Sequence, residues 1–155
     1  MEINQVLENL CKNRYEASYF ATGKEALEYL NSKIDGKLVG IGDSMTLYGL
    51  GLYDALCTHN TVFDVQHTPN GTLDEFWEYS KKTFFTDIFL TSLNALTEDG
   101  VLVNMDGAGN RVAASLYGHE KVYYVVGINK ICPNLEQAIW RVRNVAAPKN
   151  AMRKK

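Results

Sequence analysis

Cysteine is scarce in this sequence, and its spacing excludes the sites that cysteines usually build. Three occur among 155 residues, namely Cys11, Cys57 and Cys132. They are odd in number, far apart and without a Cys-x-x-Cys step, so neither a disulfide framework nor a zinc or iron–sulfur site is expected. The three histidines also lack metal-ligand spacing. No metal or cofactor is therefore expected in this chain.

A strong net charge and a long apolar run are missing as well. The formal net charge is −2 and the pI is near 5.9, which argues against nucleic-acid or membrane-surface partners. Lys149 and residues 152–155 form a short basic tail, which we expect to be solvated. No stretch reaches the ~18 apolar residues that cross a bilayer. The N-terminus has no secretory h-region, so we expect a cytoplasmic protein.

The length and the hydrophobic pattern predict one α/β domain over residues 1–155. The 46% hydrophobic content suffices for a single core. Strands are predicted at 15–21, 38–41, 61–65, 88–90, 101–103 and 122–126, and helices at 3–11, 22–34, 45–59, 72–84, 111–117 and 134–147. Such alternation indicates a mainly parallel sheet covered by helices.

Local signals refine these elements. Thr22 with Glu25, and Thr72 with Glu75, have the spacing of capping boxes. Two glycines inside the 45–59 helix predict either close backbone packing or a helix break. The Thr97-Glu-Asp-Gly100 step predicts an antiparallel hairpin near the site. Pro148 is expected to stop the last helix.

Residues 87–111 are the most informative part of the chain. Two short apolar runs, 88–90 and 101–103, each end in clustered small polar residues. We expect both runs to be buried strands that deliver polar groups to one sheet edge. In open α/β sheets the edge beyond the carboxyl ends of the strands is where ligands bind.

Four groups of residues are candidates for binding a small anion. The first is the strand-to-helix loop, whose glycine turn and first helical amides favour an anion. The alternative is that Ser44 or Thr46 simply caps the helix and the glycines only make the turn. The second follows the strand at 88–90, the third is a glycine-spaced loop, and the fourth follows the strand at 122–126. In that order their members are Gly42, Asp43, Ser44 and Thr46; Thr91, Ser92, Asn94 and Thr97; Asn104, Asp106, Gly107, Gly109, Asn110 and Arg111; and Asn129 with Lys130.

Two of these candidates, Arg111 and Lys130, have positively charged side chains that could contact an anion directly. The planar guanidinium of Arg111 suits a carboxylate or phosphate, whereas a salt bridge to Asp106 or a neighbouring acid is the alternative. Lys130 is expected at the same sheet edge, with a plain surface lysine as its alternative. For acid–base catalysis the weak candidates are Glu98, Asp99 and Asp106.

Several separated motifs resemble the lactate-utilisation domain (LUD) family over nearly the whole chain. They are Gly42-Asp-Ser-Met-Thr46, Leu90-Thr-Ser-Leu-Asn-Ala-Leu-Thr-Glu-Asp-Gly100, Val103-Asn-Met-Asp-Gly-Ala-Gly-Asn-Arg-Val112, Val125-Val-Gly-Ile-Asn-Lys130 and Ala146-Ala-Pro-Lys-Asn-Ala151. The resemblance implies the fold of ribose-5-phosphate isomerases, glucosamine-6-phosphate deaminases and coenzyme A transferases. It also implies a cytoplasmic role in bacterial lactate oxidation, alongside partner proteins that carry iron–sulfur clusters.

The sequence departs from the family pattern in two places. Ser92 stands where the family usually has glycine, which predicts a looser backbone approach to a ligand. Many members carry a cysteine-rich extension after the Asn-Ala step, whereas this sequence stops at Lys155, as a naturally short or a trimmed form. Relative to the wider fold, Asn94 lies near the position of acidic residues in sugar-phosphate isomerases. An amide cannot take up a proton as a carboxylate does, which disfavours an isomerase.

Three functions follow as hypotheses. The first is an accessory or regulatory component of lactate oxidation to pyruvate that binds a small anionic metabolite. The alternative is an enzyme of the sugar-phosphate isomerase or coenzyme A transferase class, acting on a phosphorylated or thioester substrate. The third is an assembly module with a vestigial pocket. Self-association into a homo-oligomer is left open by the sequence.

Overall fold

The computed structural model describes residues 2–153 of the chain. The helices are α1 (Ile3–Lys12), α2 (Gly23–Lys33), α3 (Met45–Gly49), α4 (Leu52–Leu56), α5 (Leu73–Lys82), α6 (Asn110–Ala114), α7 (Leu135–Arg141) and α8 (Ala147–Arg153). The strands are β1 (Leu38–Ile41), β2 (Thr61–Asp64), β3 (Ile88–Thr91), β4 (Ala95–Thr97), β5 (Leu102–Val103), β6 (Lys121–Tyr124) and β7 (Ile131–Cys132).

These elements form two compact units. The sheet unit comprises Phe20–Ser92 and Ala108–Val125. The hairpin unit comprises the described residues of Met1–Tyr19, Leu93–Gly107 and Val126–Lys155.

The sheet unit contains a four-stranded parallel sheet in the order β2-β1-β3-β6. The central strands β1 and β3 are nearly continuous apolar runs, as expected for parallel strands covered on both faces. Val39, Ile41 and Leu90 join the helical residues Leu47 and Leu56 in one buried core. The prediction of an α/β fold with a mainly parallel, helix-flanked sheet is therefore confirmed.

Both predicted capping boxes are present. The side chain of Thr22 accepts a hydrogen bond from the Glu25 amide at 3.2 Å, and the Glu25 carboxylate accepts one from the Thr22 amide at 3.0 Å. Thr72 and Glu75 make the same reciprocal pair at the start of α5. Each box satisfies two backbone amides that have no partner within the helix, which explains where α2 and α5 begin.

The predicted helix at 45–59 is broken between α3 and α4. Gly51 has a φ of +68°, in the left-handed region that glycine adopts without steric cost. A Cβ added at Gly49 or Gly51 would meet nothing within 4 Å. The break, and not close backbone packing, is therefore the reason for the glycine at position 51.

The hairpin unit contains a second, smaller sheet in the order β5-β4-β7. β4 pairs antiparallel with β5 through the predicted turn, so the hairpin is confirmed. The expectation that the runs 88–90 and 101–103 share one sheet edge was wrong. The second run contributes β5 to the smaller sheet, because its partner is Ala95–Thr97 and not the strand at 88–90.

Three element predictions need correction. The aromatic segment 15–21 is not a strand, and Tyr15 and Tyr19 are exposed. The helix predicted at 111–117 is shorter and ends at Ala114. Pro148 does not stop the last helix, because a π turn at Val142–Ala146 precedes it and places the proline in the first turn of α8. The Ala147 amide donates to the Val142 carbonyl five residues earlier, so the π turn shifts the backbone pairing where Pro148, which has no amide proton, follows.

Within residues 2–153 no helix is both long and apolar enough to cross a membrane. The predicted basic tail is only partly covered by the structure, because Lys154 and Lys155 lie outside the described residues.

Candidate functional site

Gly42 follows β1 and lies tightly against three side chains. Its amide donates a hydrogen bond to the Leu90 carbonyl at 2.9 Å, which continues the pairing of β1 with β3. A Cβ at this position would lie 3.0 Å from Phe89 Cζ, 3.1 Å from Arg111 Cγ and 3.2 Å from Thr91 Oγ1. Glycine is therefore needed here for the close approach of Arg111.

Arg111 brings a positive charge to the carboxyl ends of β1 and β3. It lies in the first turn of α6, which begins after Gly109, a glycine with a φ of +80°. Its Nη1 donates to the carbonyl of Ser92, the residue directly after β3, at 2.7 Å. The sheet unit thus brings together Gly42, Thr91, Ser92 and Arg111, four of the residues predicted to bind a ligand.

The rest of the strand-to-helix loop is anchored within the same unit. Ser44 is buried, and its hydroxyl caps α3 by accepting from the Leu47 amide at 3.5 Å. Asp43 Oδ1 accepts from Gln66 Nε2 at 3.0 Å. Thr46 is half-buried in the first turn of α3. Ser44 therefore has the structural role that the sequence left as an alternative to anion binding.

A second group of predicted residues meets inside the hairpin unit. The Asn94 amide donates to Asn104 Oδ1 at 3.1 Å, and Asn94 Oδ1 accepts from the Met105 amide at 2.8 Å. Arg141 donates through Nη1 to the Asn94 carbonyl and through Nε to the Asn129 carbonyl, the latter at 3.3 Å. The Asn94 side chain thus fixes backbone in the loop after β5, and the Asn104 side chain fixes the backbone directly before β4. Arg141 joins the backbone of Asn94 to that of Asn129.

The remaining predicted ligand residues lie in short connections. Lys130 ends a 3₁₀ turn (Ile128–Lys130) that leads directly into β7, so in sequence it precedes a strand of the smaller sheet. Asp106 is half-buried and Gly107 is exposed. Asn110 Nδ2 donates to Ser80 Oγ at 3.1 Å, which ties the start of α6 to α5.

Two of the acid–base candidates, Glu98 and Asp99, lie in the turn that joins β4 to β5. The Glu98 amide donates to the Cys132 carbonyl at 2.9 Å. Asp99 Oδ1 accepts from the Thr97 hydroxyl, which itself accepts from the Val101 amide at 2.8 Å. The buried Thr97 and the exposed Asp99 therefore shape the turn that joins β4 to β5.

Sequence reasoning missed a cluster in the sheet unit around Asp64 and His67. Asp64 is the last residue of β2 and is only 3% exposed. Its Oδ2 lies 2.7 Å from His67 Nδ1, and its Oδ1 accepts from the Gln66 amide at 3.0 Å. Burial raises the pKa of Asp64, and its hydrogen bonds to Gln66 and His67 act in the opposite direction.

The cluster lines a cavity of about 230 Å³. The ring of His67 stacks on the ring of Tyr53 at a centroid distance of 4.0 Å and an angle of 2°. Burial also raises the pKa of Tyr53. The available sequence signal was an aspartate at the carboxyl end of a predicted strand, three residues before a histidine. Metal-ligand spacing, by which the histidines were judged from the sequence, does not detect such a pair.

The fold and these clusters define an α/β protein whose parallel sheet carries polar and charged groups at the carboxyl ends of its strands. The family model described as the LUD domain matches residues 3–155, so the chain belongs to the LUD domain family. Membership supports an association with lactate utilisation. No curated protein and no solved structure matches this chain.

Proposed function

We propose that this chain is an accessory or regulatory component of bacterial lactate utilisation and that it binds a small anionic metabolite. Membership of the LUD domain family supports the association with this pathway. The observation that carries the proposed binding site is the position of Arg111, whose guanidinium contacts the residue directly after β3 and whose stem lies against Gly42, directly after β1.

The position of Arg111 supports an anionic ligand for two reasons. Ligands of parallel α/β sheets bind beyond the carboxyl ends of the strands, which is where β1 and β3 lead. The guanidinium of Arg111 is half-buried and planar, and hydrogen bonds from a guanidinium to a carboxylate or phosphate are about twice as strong as neutral ones.

A binding assay with paired arginine variants tests this proposal. Isothermal titration would use L-lactate, pyruvate, inorganic phosphate and acetyl-coenzyme A as probes. We expect Arg111→Ala to weaken the binding of the best probe by about 1–3 kcal/mol, or roughly 5- to 150-fold. Arg143→Ala removes the same charge from an exposed position in the π turn and should leave affinity unchanged.

The outcome separates the hypotheses. Equal affinity of the folded Arg111→Ala variant and the wild type would assign Arg111 a structural role and refute the proposed site. If none of the four probes binds, the assembly-module hypothesis gains support. Turnover of a phosphate or thioester probe would favour the enzyme alternative instead.

The proposed partners are a separate part of the hypothesis. We propose that the chain acts with the iron–sulfur proteins of lactate oxidation, as the family resemblance implies, and that it uses no cofactor of its own. Co-purification of the untagged iron–sulfur proteins with the tagged chain from lactate-grown cells would support this assignment. Its absence, with the same proteins present in the lysate, would count against it.

A further inference from the structure

We propose that the cavity beside β2 is a second site, in which Nε2 of His67 accepts a hydrogen bond from the hydroxyl group of a small neutral ligand and Asp64 positions His67. This inference does not depend on anion binding at Arg111. It depends on the geometry of the hydrogen bond, the packing of the imidazole ring and the charges of the residues that line the cavity.

The carboxylate of Asp64 is fixed on both of its oxygens. Oδ1 accepts from the Gln66 amide at 3.0 Å, and Oδ2 lies 2.7 Å from Nδ1 of His67. The side chain is 5% exposed, so water does not compete effectively for these contacts. A buried carboxylate held in this way can act as a fixed acceptor for an imidazole N–H.

The imidazole ring is fixed as well. The ring of Tyr53 lies parallel to it at 4.0 Å, and the ring of Tyr48 stacks less closely at 5.8 Å and 27°. Stacking together with the hydrogen bond to Asp64 restricts both rotation about the side-chain bonds and flipping of the ring. A ring restrained in this way presents the same nitrogen to a ligand each time.

The hydrogen bond to Asp64 selects one tautomer of neutral His67. An ionised carboxylate only accepts, so Nδ1 carries the proton and Nε2 carries the lone pair. Within the described part of the chain, Nε2 of His67 has no hydrogen-bond partner. In contrast, His59 Nε2 lies 3.0 Å from the Ile34 carbonyl. His119 resembles His67, since its Nδ1 lies 2.7 Å from the Thr86 carbonyl and its Nε2 has no partner among the described residues, but that Nε2 is buried and His119 does not line the cavity. His67 is therefore the histidine that can offer an imidazole lone pair to a ligand in this cavity.

The lining of the cavity indicates the class of ligand. Asp54 and Asp64 contribute carboxylates, Ile41 and Leu47 contribute apolar surface, and no lysine or arginine is among the described residues that line it. An anion would be repelled there. A small neutral molecule with hydroxyl groups can hydrogen-bond to Nε2 and to Asp54 while its carbon atoms contact the apolar wall.

The proposed contact is a hydrogen bond and not a proton transfer. Full transfer would leave an alkoxide beside Asp54 and Asp64, whose carboxylates disfavour a further negative charge. Nε2 therefore accepts from the ligand hydroxyl, while the Asp64 carboxylate keeps the proton on Nδ1.

The tautomer of His67 is the first test. Nitrogen-15 NMR distinguishes protonated from unprotonated ring nitrogens, and His67→Gln identifies the His67 signals. We expect neutral His67 to be protonated at Nδ1 in the wild type. Asp64→Asn should shift the population toward protonation at Nε2, since the asparagine nitrogen donates. Asp54→Asn, the same change at a cavity residue with no hydrogen bond to His67, should leave the tautomer unchanged.

The ligand class is the second test, followed at the same His67 signals. Glycerol should shift them in the wild type and not in Asp64→Asn, whereas sodium lactate and tetramethylammonium chloride should leave them in place. A wild-type His67 protonated at Nε2 would overturn the proposal even if the variants failed to fold. A response to lactate or tetramethylammonium alone would overturn the assignment of a neutral hydroxyl-bearing ligand, and so would no response to glycerol.

Discussion

Replacing Gly40 with alanine should destabilise the sheet unit, although alanine is usually the more stable choice. Gly40 lies in the middle of β1, between β2 and β3. A Cβ there would lie 2.8 Å from Thr86 Oγ1 and 2.9 Å from Thr83 Cβ. Both threonines are buried, and the Thr86 hydroxyl is hydrogen-bonded to the Thr83 and Ile88 carbonyls, so neither can move away cheaply.

The size of the effect follows from two opposing terms. Overpacking a well-packed core costs about 1–3 kcal/mol. Alanine also restricts the unfolded chain more than glycine does, which stabilises the folded state by about 0.4–1 kcal/mol. We therefore expect Gly40→Ala to lower the free energy of unfolding by roughly 1–2 kcal/mol. With a urea m-value of about 2 kcal/mol/M, the midpoint should fall by roughly 0.5–1 M.

Gly49→Ala is the matched control within the same unit. A Cβ there meets nothing within 4 Å, and Gly49 is not among the glycines with positive φ. The same substitution should therefore raise the free energy of unfolding by about 0.4–1 kcal/mol. Urea titrations in a Trp140→Phe background would report on the sheet unit through Trp77, the remaining tryptophan of the two. If both variants shift the midpoint in the same direction, the packing argument at Gly40 fails.

Three further predictions use the same unit. Thr72→Ala should cost about 0.5–2 kcal/mol, measured by thermal unfolding, because it removes the cap of α5. Gly51→Ala should cost about 1–2 kcal/mol in urea, because it forces alanine into the left-handed region. The native state holds the proton of Asp64 more tightly than the unfolded chain, so wild-type stability should fall as pH rises from the ordinary value of 3.8 through the raised pKa. Asp64→Asn should lack this component when urea midpoints are compared across that range; parallel pH profiles would contradict it.

Features that depend on residues close together in the sequence could be predicted from it. The capping boxes at Thr22 and Thr72 need only a hydroxyl and a carboxylate three residues apart, so their spacing was enough. The strands β1 and β3 were recognisable because a strand buried on both faces is a continuous apolar run. The cost of glycine inside a helix predicted either close packing or a break, and the structure has the break at Gly51.

Features that depend on which strands pair, or on which side chains meet after the chain folds, could not be predicted in this way. The aromatic segment 15–21 has the composition of a strand, but none of the strands within residues 2–153 pairs with it. The run 101–103, which contributes β5, was expected at the same sheet edge as the strand at 88–90. Its true partner, Ala95–Thr97, has only three residues, of which one is polar, and such a segment has no recognisable strand pattern. The contact of Asp64 with His67 depends on the turn after β2, and an aspartate three residues before a histidine is also ordinary in turns.

The sheet unit carries two groups of opposite character at the ends of adjacent parallel strands. Arg111 lies beyond β1 and β3, and the carboxylate of Asp64 ends β2, the neighbour of β1. Gln66, in the turn after β2, donates to Asp43 in the loop after β1, so a hydrogen bond connects the two loops. An anion is favoured beside the guanidinium, because opposite charges attract, and it is disfavoured beside the buried carboxylate, because like charges repel. The two proposed sites therefore select different ligands, and loss of one need not abolish the other.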